Sequence, residues 1–444
     1  MRRSVWLMFL FGLGTQLQIV ASLSFSELFV LLAAPCWFVS EWPMMKRTGV
    51  HVFFIWAILG VLGAIISYVT YGAPLYFAVR RFAMVVVVPC VIVVVHRILR
   101  MHMSHVGWYL LGGAISGILC TFVFQKSVEV ATLAGGERGE HAAHDIMRGP
   151  IYWLHRISSF VSLAYKGWYL KIPTFVCILL PLALAIFGIT QSSSGRGPAI
   201  GFMGASVIML VGGKTMSGMR RMSRHLYLIG LAGLAVIYLF HKGYGYMARS
   251  GMLGEQTARK YEGQTKRGSG MLDLLIGGRA DSMVCFYAIK DSPILGFGLA
   301  PYDTRGYARE FLDKYGAEED VIQYYSNAAA NARRGIVEEI AFIPAHSQIG
   351  SYWVFFGVFG LMFWLYIIFV VIRYMRQDAC AIPQWYGWLA ASVPAMFWDM
   401  LFNPFASRIG TPMFVVACLL VRAVRMGRLR LPDEMTREIY HHSL

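Results

Sequence analysis

The chain is short of charge, and of negative charge above all. Only 14% of its 444 residues are charged, 24 Asp and Glu against 40 Lys and Arg, where an ordinary soluble domain carries about 25%. That scarcity excludes a string of conventional soluble domains. Cysteine offers no disulfide or zinc framework either. Seven are present: Cys36, Cys90, Cys120, Cys177 and Cys418 fall inside apolar runs, Cys380 lies beside a basic cluster, and Cys285 stands in the one long hydrophilic segment. No internal repeat is visible, and the paired halves with interrupted helices that mark many transporters are missing, so a transporter is the disfavoured reading.

What the chain has in excess is apolar sequence. It is 57% hydrophobic with a mean hydropathy of +0.55, and its long apolar runs predict an all-α polytopic membrane protein. Windows of about 19 residues place spans near 4–22, 26–42, 50–70, 74–96, 105–125, 151–170, 172–190, 198–213, 225–242, 346–372, 383–402 and 409–426. The organisation expected is therefore nine spans within 1–241, a large hydrophilic segment at 242–345, and three spans with a short tail in 346–444. The N-terminus also resembles a signal peptide; a retained first helix is the favoured reading.

The net charge of +16 does not point to nucleic acid, because the basic residues are not gathered on one face. They sit in short clusters between apolar runs: Lys46 and Arg47, Arg97 and Arg100, Lys214 with Arg220, Arg221 and Arg224, Arg373 and Arg376, and Arg422 to Arg430. This positive-inside pattern puts both termini in the cytoplasm and the large segment outside. The span at 151–170, which carries His155, Arg156 and Lys166, has an interfacial helix as its alternative reading. Parity favours a crossing, since without it the cluster from Lys214 to Arg224 would face outward. The segment 242–345 is too rich in aromatic and aliphatic residues for disorder and is expected to fold as a helical cap, with helices near 271–291, 303–315 and 317–340.

Three short motifs lie at the outward ends of these spans. Arg196 sits in Ser192-Ser193-Ser194-Gly195-Arg196-Gly197-Pro198, where glycine lets backbone approach a ligand beside a guanidinium; an interfacial anchor is the plainer alternative. Arg279 opens a helical stretch leading to Gly296-Phe297-Gly298, a cation and backbone donors suited to phosphate, or simply an ion pair and a turn. His346 lies in Pro344-Ala345-His346-Ser347-Gln348, before a glycine-bearing span, where a neutral imidazole can take a proton from a hydroxyl or merely cap a helix. Arg80 and Arg81 stand inside an apolar span near its outward end, an expensive placement that suggests an anionic headgroup or phosphate, with Asp399 a candidate counterion. His141 and His144 with Asp145 read as a solvated loop before a metal site. The basic run from Arg249 to Arg267 stays unassigned. Metal-dependent membrane glycosyltransferases use an acidic pair in an early outward loop, and the first outward turn, Ser22 to Glu27, has none.

Taken in order, the Ser-Gly-Arg-Gly turn, an Arg followed about twenty residues on by Gly-x-Gly, and Ala-His before a glycine-bearing span resemble the O-antigen ligase and polymerase superfamily. The resemblance covers the chain from about 150 onward and rests on hydropathy before that. It implies a GT-C-like fold of about 12 transmembrane helices with a large periplasmic loop. It also implies transfer of polysaccharide from undecaprenyl diphosphate to a sugar of lipid A-core, at the periplasmic face of a bacterial inner membrane, with no metal or other cofactor. Polymerases and protein O-oligosaccharyltransferases share these motifs. Arg196 and Arg279 match the motif arginines, His346 the motif histidine, and Gly296 and Gly298 the turn; Arg80 and Arg81 are further candidates for substrate binding. Ser347 departs from the Asn of many relatives. On this reading the arginines neutralise the diphosphate and His346 accepts or orients the acceptor's hydroxyl proton.

Overall fold

The computed structural model describes residues 2–15, 18–20, 23–55, 75–122, 173–191, 196–212, 245–252, 280–298, 305–315, 347–379, 381–402 and 409–430, with isolated positions between them. At some helix positions, Arg80, Arg81, Arg196 and Asp399 among them, the backbone alone is described. The expected spans at 151–170 and 225–242, the segment 126–150 with His141 and His144, the cluster Lys214 to Arg224 and the expected helix at 317–340 lie outside the described residues, apart from single positions.

The protein is mostly helical. Its described helices are α1 (Arg2–Leu13), α2 (Phe25–Thr48), α3 (Leu75–Met101), α4 (Val106–Phe122), α5 (Thr174–Gln191), α6 (Arg196–Gly212), α7 (Ala280–Ala288), α8 (Tyr307–Tyr315), α9 (Gln348–Phe356), α10 (Val358–Arg373), α11 (Tyr386–Phe402) and α12 (Gly410–Arg425). One short antiparallel ladder, β1 (Gln18–Val20) on β2 (Leu23–Ser24), joins α1 to α2. Among the described residues, two helices are long and apolar enough to cross a membrane: α2, and α10 continued through the π-helical turn Tyr374–Asp378.

The first apolar run does not form one long helix. α1 stops at Leu13, about 18 Å of rise, because the chain folds back on its own end. The Gly14 N–H donates to Leu10 O (2.9 Å) and the Ser26 N–H to Gly14 O (3.2 Å), while the Ser26 hydroxyl donates to Phe11 O (2.6 Å). α2 then opens on a capping box: the Glu27 N–H donates to Ser24 Oγ and the Ser24 N–H to Glu27 Oε2. Glu27, the one acid within 22–27, is thus buried as a cap.

Helices approach closely where glycine permits. A Cβ on Gly12 of α1 would lie 2.0 Å from Tyr109 O of α4, one on Gly112 2.2 Å from Phe9 O, and one on Gly204 of α6 2.7 Å from Pro394 of α11; such small-residue crossings are how helices pack in lipid. The main core joins α2, α3, α10, α11 and α12 through Met45, Leu99, Trp364, Tyr386 and Leu420. A second, smaller core lies in the large hydrophilic segment, where Val284, Cys285 and Ala288 of α7 and Tyr307, Ala308 and Phe311 of α8 pack with Val354 of α9.

Beneath the main core, Glu41 of α2 is 1% exposed and fully engaged. It accepts from Arg100 Nη2 (2.7 Å), Arg100 Nε (3.3 Å) and Arg97 Nη1 (3.3 Å) and pairs with His96 Nδ1 (3.0 Å). His96 Nε2 meets the Thr48 hydroxyl at 3.0 Å, so the C-terminal ends of α2 and α3 are tied together. Asp378 similarly accepts from Arg425 (2.6 Å), joining the turn after α10 to the end of α12.

Candidate functional site

The expected span at 346–372 is interrupted. α9 ends at Phe356, Gly357 takes φ 59 and ψ −144, and α10 starts at Val358. A break in a helix strands backbone groups, and in a low-dielectric setting each must find a partner. The segment Pro293–Gly298 supplies them. The Phe297 N–H donates to Val354 O (2.6 Å), the Gly298 N–H to Phe355 O (3.2 Å), and Val358 N–H to Ile294 O (3.0 Å), while Trp353 Nε1 donates to Pro293 O (3.1 Å). Val354 O and Val358 N–H would otherwise have bonded each other within one continuous helix.

That strap explains the Gly-x-Gly turn. Gly296 and Gly298 have φ 72 and 84, and a Cβ on Gly296 would sit 2.6 Å from both Gly357 N and Val354 O. The Gly296 N–H donates to Ser292 O (3.0 Å) and the Gly298 N–H to Phe355 O. Both donors are therefore committed inside the protein, and the turn's described role is to let the cap lie backbone to backbone on the broken helix.

α9 begins with Ser347 as N-cap. Its buried hydroxyl accepts from the Gly350 N–H (3.2 Å) and donates to Met400 O of α11 (3.1 Å). Serine thus performs a definite task at the position where the resemblance anticipates Asn. One turn on, a Cβ at Gly350 would fall 2.1 Å from Cys285 Sγ of α7. The contact buries Cys285, and burial pushes its thiol up to about 12.

In the sequence, the three motif residues fall at or just before the first residues of three described helices. Arg196 is the first residue of α6, described in its backbone only. Arg279 immediately precedes α7, and His346 immediately precedes the Ser347 cap of α9; both lie outside the described residues. The Cys285–Gly350 contact brings together the segments that follow Arg279 and His346 in the chain. α11 packs against both α6 and α9, which links the Arg196 helix to the same neighbourhood. Arg80 and Arg81 lie in the second turn of α3, backbone only.

The cap is braced by its own polar cluster. Asp291 accepts from the Tyr307 hydroxyl (2.5 Å) and Arg305 Nη1 (2.8 Å), and the Tyr307 bond is the chief influence holding its carboxyl below the usual carboxylate range. Tyr307 is pushed up to about 12, by burial first and by Asp291 next. Asp303 accepts from the N–H groups of Tyr307 (2.6 Å) and Ala308 (2.7 Å) at the start of α8, and its burial raises its pKa despite those bonds. The Tyr287 hydroxyl donates to Glu310 across α7 and α8.

Two features of this neighbourhood were missed from sequence. The break at Gly357 is one; its signal was the positions of Gly350, Gly357 and Gly360 in a single apolar run. The other is Gln348, 2% exposed in the first turn of α9, which carries no signal beyond being polar beside His346. Comparison with protein-family models, with curated proteins and with solved structures finds no match for this chain.

Proposed function

We propose that the protein is a multi-pass glycosyltransferase of the O-antigen ligase type, moving polysaccharide from undecaprenyl diphosphate onto a sugar of lipid A-core at the periplasmic face of a bacterial inner membrane. The observation that carries the reading is the cap seated on a broken helix, with the segments after Arg279 and His346 in direct contact. A lipid-linked diphosphate must be met at the membrane boundary, by residues from cap and spans together. The order of the motifs along the chain supports the same assignment.

Several features support the membrane topology. Outward-facing apolar side chains run along α2 (Leu28, Leu32, Val39), α5 (Phe175, Leu179, Leu182) and α10 (Met362, Leu365, Phe369), an arrangement that water disfavours and lipid accepts. Only 22% of the most apolar stretch of α2 and 39% of that of α10 is buried within the protein, which leaves most of each for lipid. α2, α3, α10 and α12 all carry Lys or Arg in their last turns, matching parallel out-to-in crossings. His96 touches Thr48 at the end of α2, whereas Leu75, where α3 begins, is about 30 Å of helix away. The chain between them has a bilayer's thickness to cover, which fits the expected span at 50–70.

In the proposed reaction the acceptor hydroxyl attacks the anomeric carbon of the donor, the new glycosidic bond forms, and the bond from that carbon to the diphosphate oxygen breaks with its electron pair leaving on the diphosphate. His346 takes the hydroxyl proton, or orients it. Arg196 and Arg279 meet the charge that develops on the leaving group, the work a divalent cation does in other enzymes. Arg80 and Arg81 would hold anionic headgroup or diphosphate oxygens, and Gly296 and Gly298 serve the donor site by seating the cap.

The test is transfer in reconstituted vesicles containing Arg196→Ala, Arg279→Ala or His346→Ala. Each is expected to lose about a hundredfold or more in kcat/KM, and full activity in any one removes that residue from the mechanism. Offering lipid A-core, a second lipid-linked glycan and a polypeptide as acceptors separates ligase from polymerase and from protein O-oligosaccharyltransferase.

A further inference from the structure

Gln348 stands apart among the buried polar side chains. It is 2% exposed, and both its amide atoms, Oε1 and Nε2, are without a hydrogen-bond partner. Among the described residues it is the one side chain with two such atoms. Its neighbours are satisfied: the Ser347 hydroxyl bonds Met400 O and the Gly350 N–H, and the Ser351 hydroxyl donates to Ser347 O (2.6 Å). An amide buried with neither bond made is costly, and in a folded protein it calls for an explanation.

Its position supplies one. Gln348 is the first residue of α9, and side chains on a helix lean toward its N-terminus, so the amide extends past the end of the helix. The Gly350 N–H is used by the Ser347 cap and the Ser351 N–H by Ser347 O, while the N–H groups of Gln348 and Ile349 donate to nothing among the described residues. Two backbone donors, a side-chain donor and a side-chain acceptor therefore share one helix end. An anion would use the donors and leave Oε1 facing like charge. A sugar ring uses all of them, because a hydroxyl both donates and accepts.

We infer that Gln348 binds hydroxyls of the acceptor sugar, beside His346 in the chain. The inference rests on the glycosyl-transfer reading and deepens it. It makes Gln348 a specificity-determining residue for the acceptor, with no part in holding the donor diphosphate.

The test uses the full chain in detergent and in vesicles, with Gln348→Met, which keeps the length and removes both amide atoms. Since the amide makes no bond to any protein group among the described residues, Tm is expected to be unchanged or higher. In the transfer assay the acceptor KM rises about tenfold, with kcat and the donor KM unchanged. Binding is read separately, as the Tm shift caused by D-glucose, D-galactose or N-acetylglucosamine and by inorganic pyrophosphate. A shift with at least one sugar in the wild type that vanishes in Gln348→Met, with the pyrophosphate shift retained, supports the assignment. A sugar shift that survives the substitution, a pyrophosphate shift that is lost with it, no sugar response in the wild type, or a lowered Tm of the free variant each overturns it. Failure of the broader reading looks different: no transfer to any acceptor by wild type, whatever Gln348 does.

Discussion

Asp291 accepts from Tyr307 and Arg305, and this one carboxylate joins the end of α7 to the start of α8. Its folded pKa is depressed, chiefly by the Tyr307 hydroxyl, so its contribution is present above the unfolded value of about 3.9 and is lost as pH falls through the lower folded value. Tyr307, pushed up to about 12, remains a donor throughout that window. Asp303 acts with the opposite sign: burial raises its pKa, so its contribution is present below the unfolded value and is lost as pH rises through the folded one. Amide protection across Tyr307–Tyr315, corrected for intrinsic exchange, should be lower in Asp291→Asn than in wild type at neutral pH. That gap should close below about pH 4. A gap that is the same at pH 3 and pH 7 rules out a linked Asp291.

At the scale of elements, the interruption between α9 and α10 and the strap Pro293–Gly298 make sense only together. Gly357 has φ 59, and a Cβ there would lie 1.9 Å from Ile294 O, so Gly357→Ala combines backbone strain with a clash against the strap. Strain alone costs about 1–3 kcal/mol. Displacing the strap strands Val354 O and Phe355 O, and it should loosen α7 from Gly350. Cys285 reports this, because a thiol held near 12 by burial is inert to maleimides. Labelling of Cys285 should be negligible in wild type and rise strongly in Gly357→Ala and Gly296→Ala; wild-type resistance in both variants would dissociate the strap from the cap. The helical character of the chain was legible in its apolar length and composition, and the helices Ala280–Ala288 and Tyr307–Tyr315 fall within the mixed apolar and polar stretches 271–291 and 303–315 where helices were expected. The break was not, since a hydropathy average passes through one glycine without notice. The end of α1 at Leu13 escaped for a related reason: Ile19 and Val20 prolong the apolar run beyond the glycine but belong to a strand. Of the proposed site, residue type and order nominate the three motif residues, whereas Gln348 depends on what fails to touch it, which only three dimensions record.

Over the whole molecule the question is which helix ends share a side of the membrane. The ties from Glu41 to Arg97 and Arg100 and from Asp378 to Arg425 gather basic ends of α2, α3, α10 and α12, helices that also pack on one another. If those ends are cytoplasmic, the cap is outside, and the number of crossings between α4 and the cap must keep it there. Residues 151–170 decide the count: a crossing gives twelve spans and puts the cluster Lys214 to Arg224 on the same side as Arg428, whereas an interfacial helix, with the cap held outside, requires that 225–242 not cross either and puts the cluster on the side of the cap. Single-cysteine variants in a cysteine-free background, labelled in spheroplasts with a membrane-impermeant maleimide, distinguish the two. Met252→Cys, at an exposed cap position, should label in intact spheroplasts. Arg428→Cys, beyond the end of α12, should label only after lysis. Arg221→Cys should follow Arg428→Cys. If it labels with Met252→Cys instead, neither 225–242 nor 151–170 crosses, and Arg196, one helix before that cluster, moves to the cytoplasmic face and out of reach of a periplasmic diphosphate.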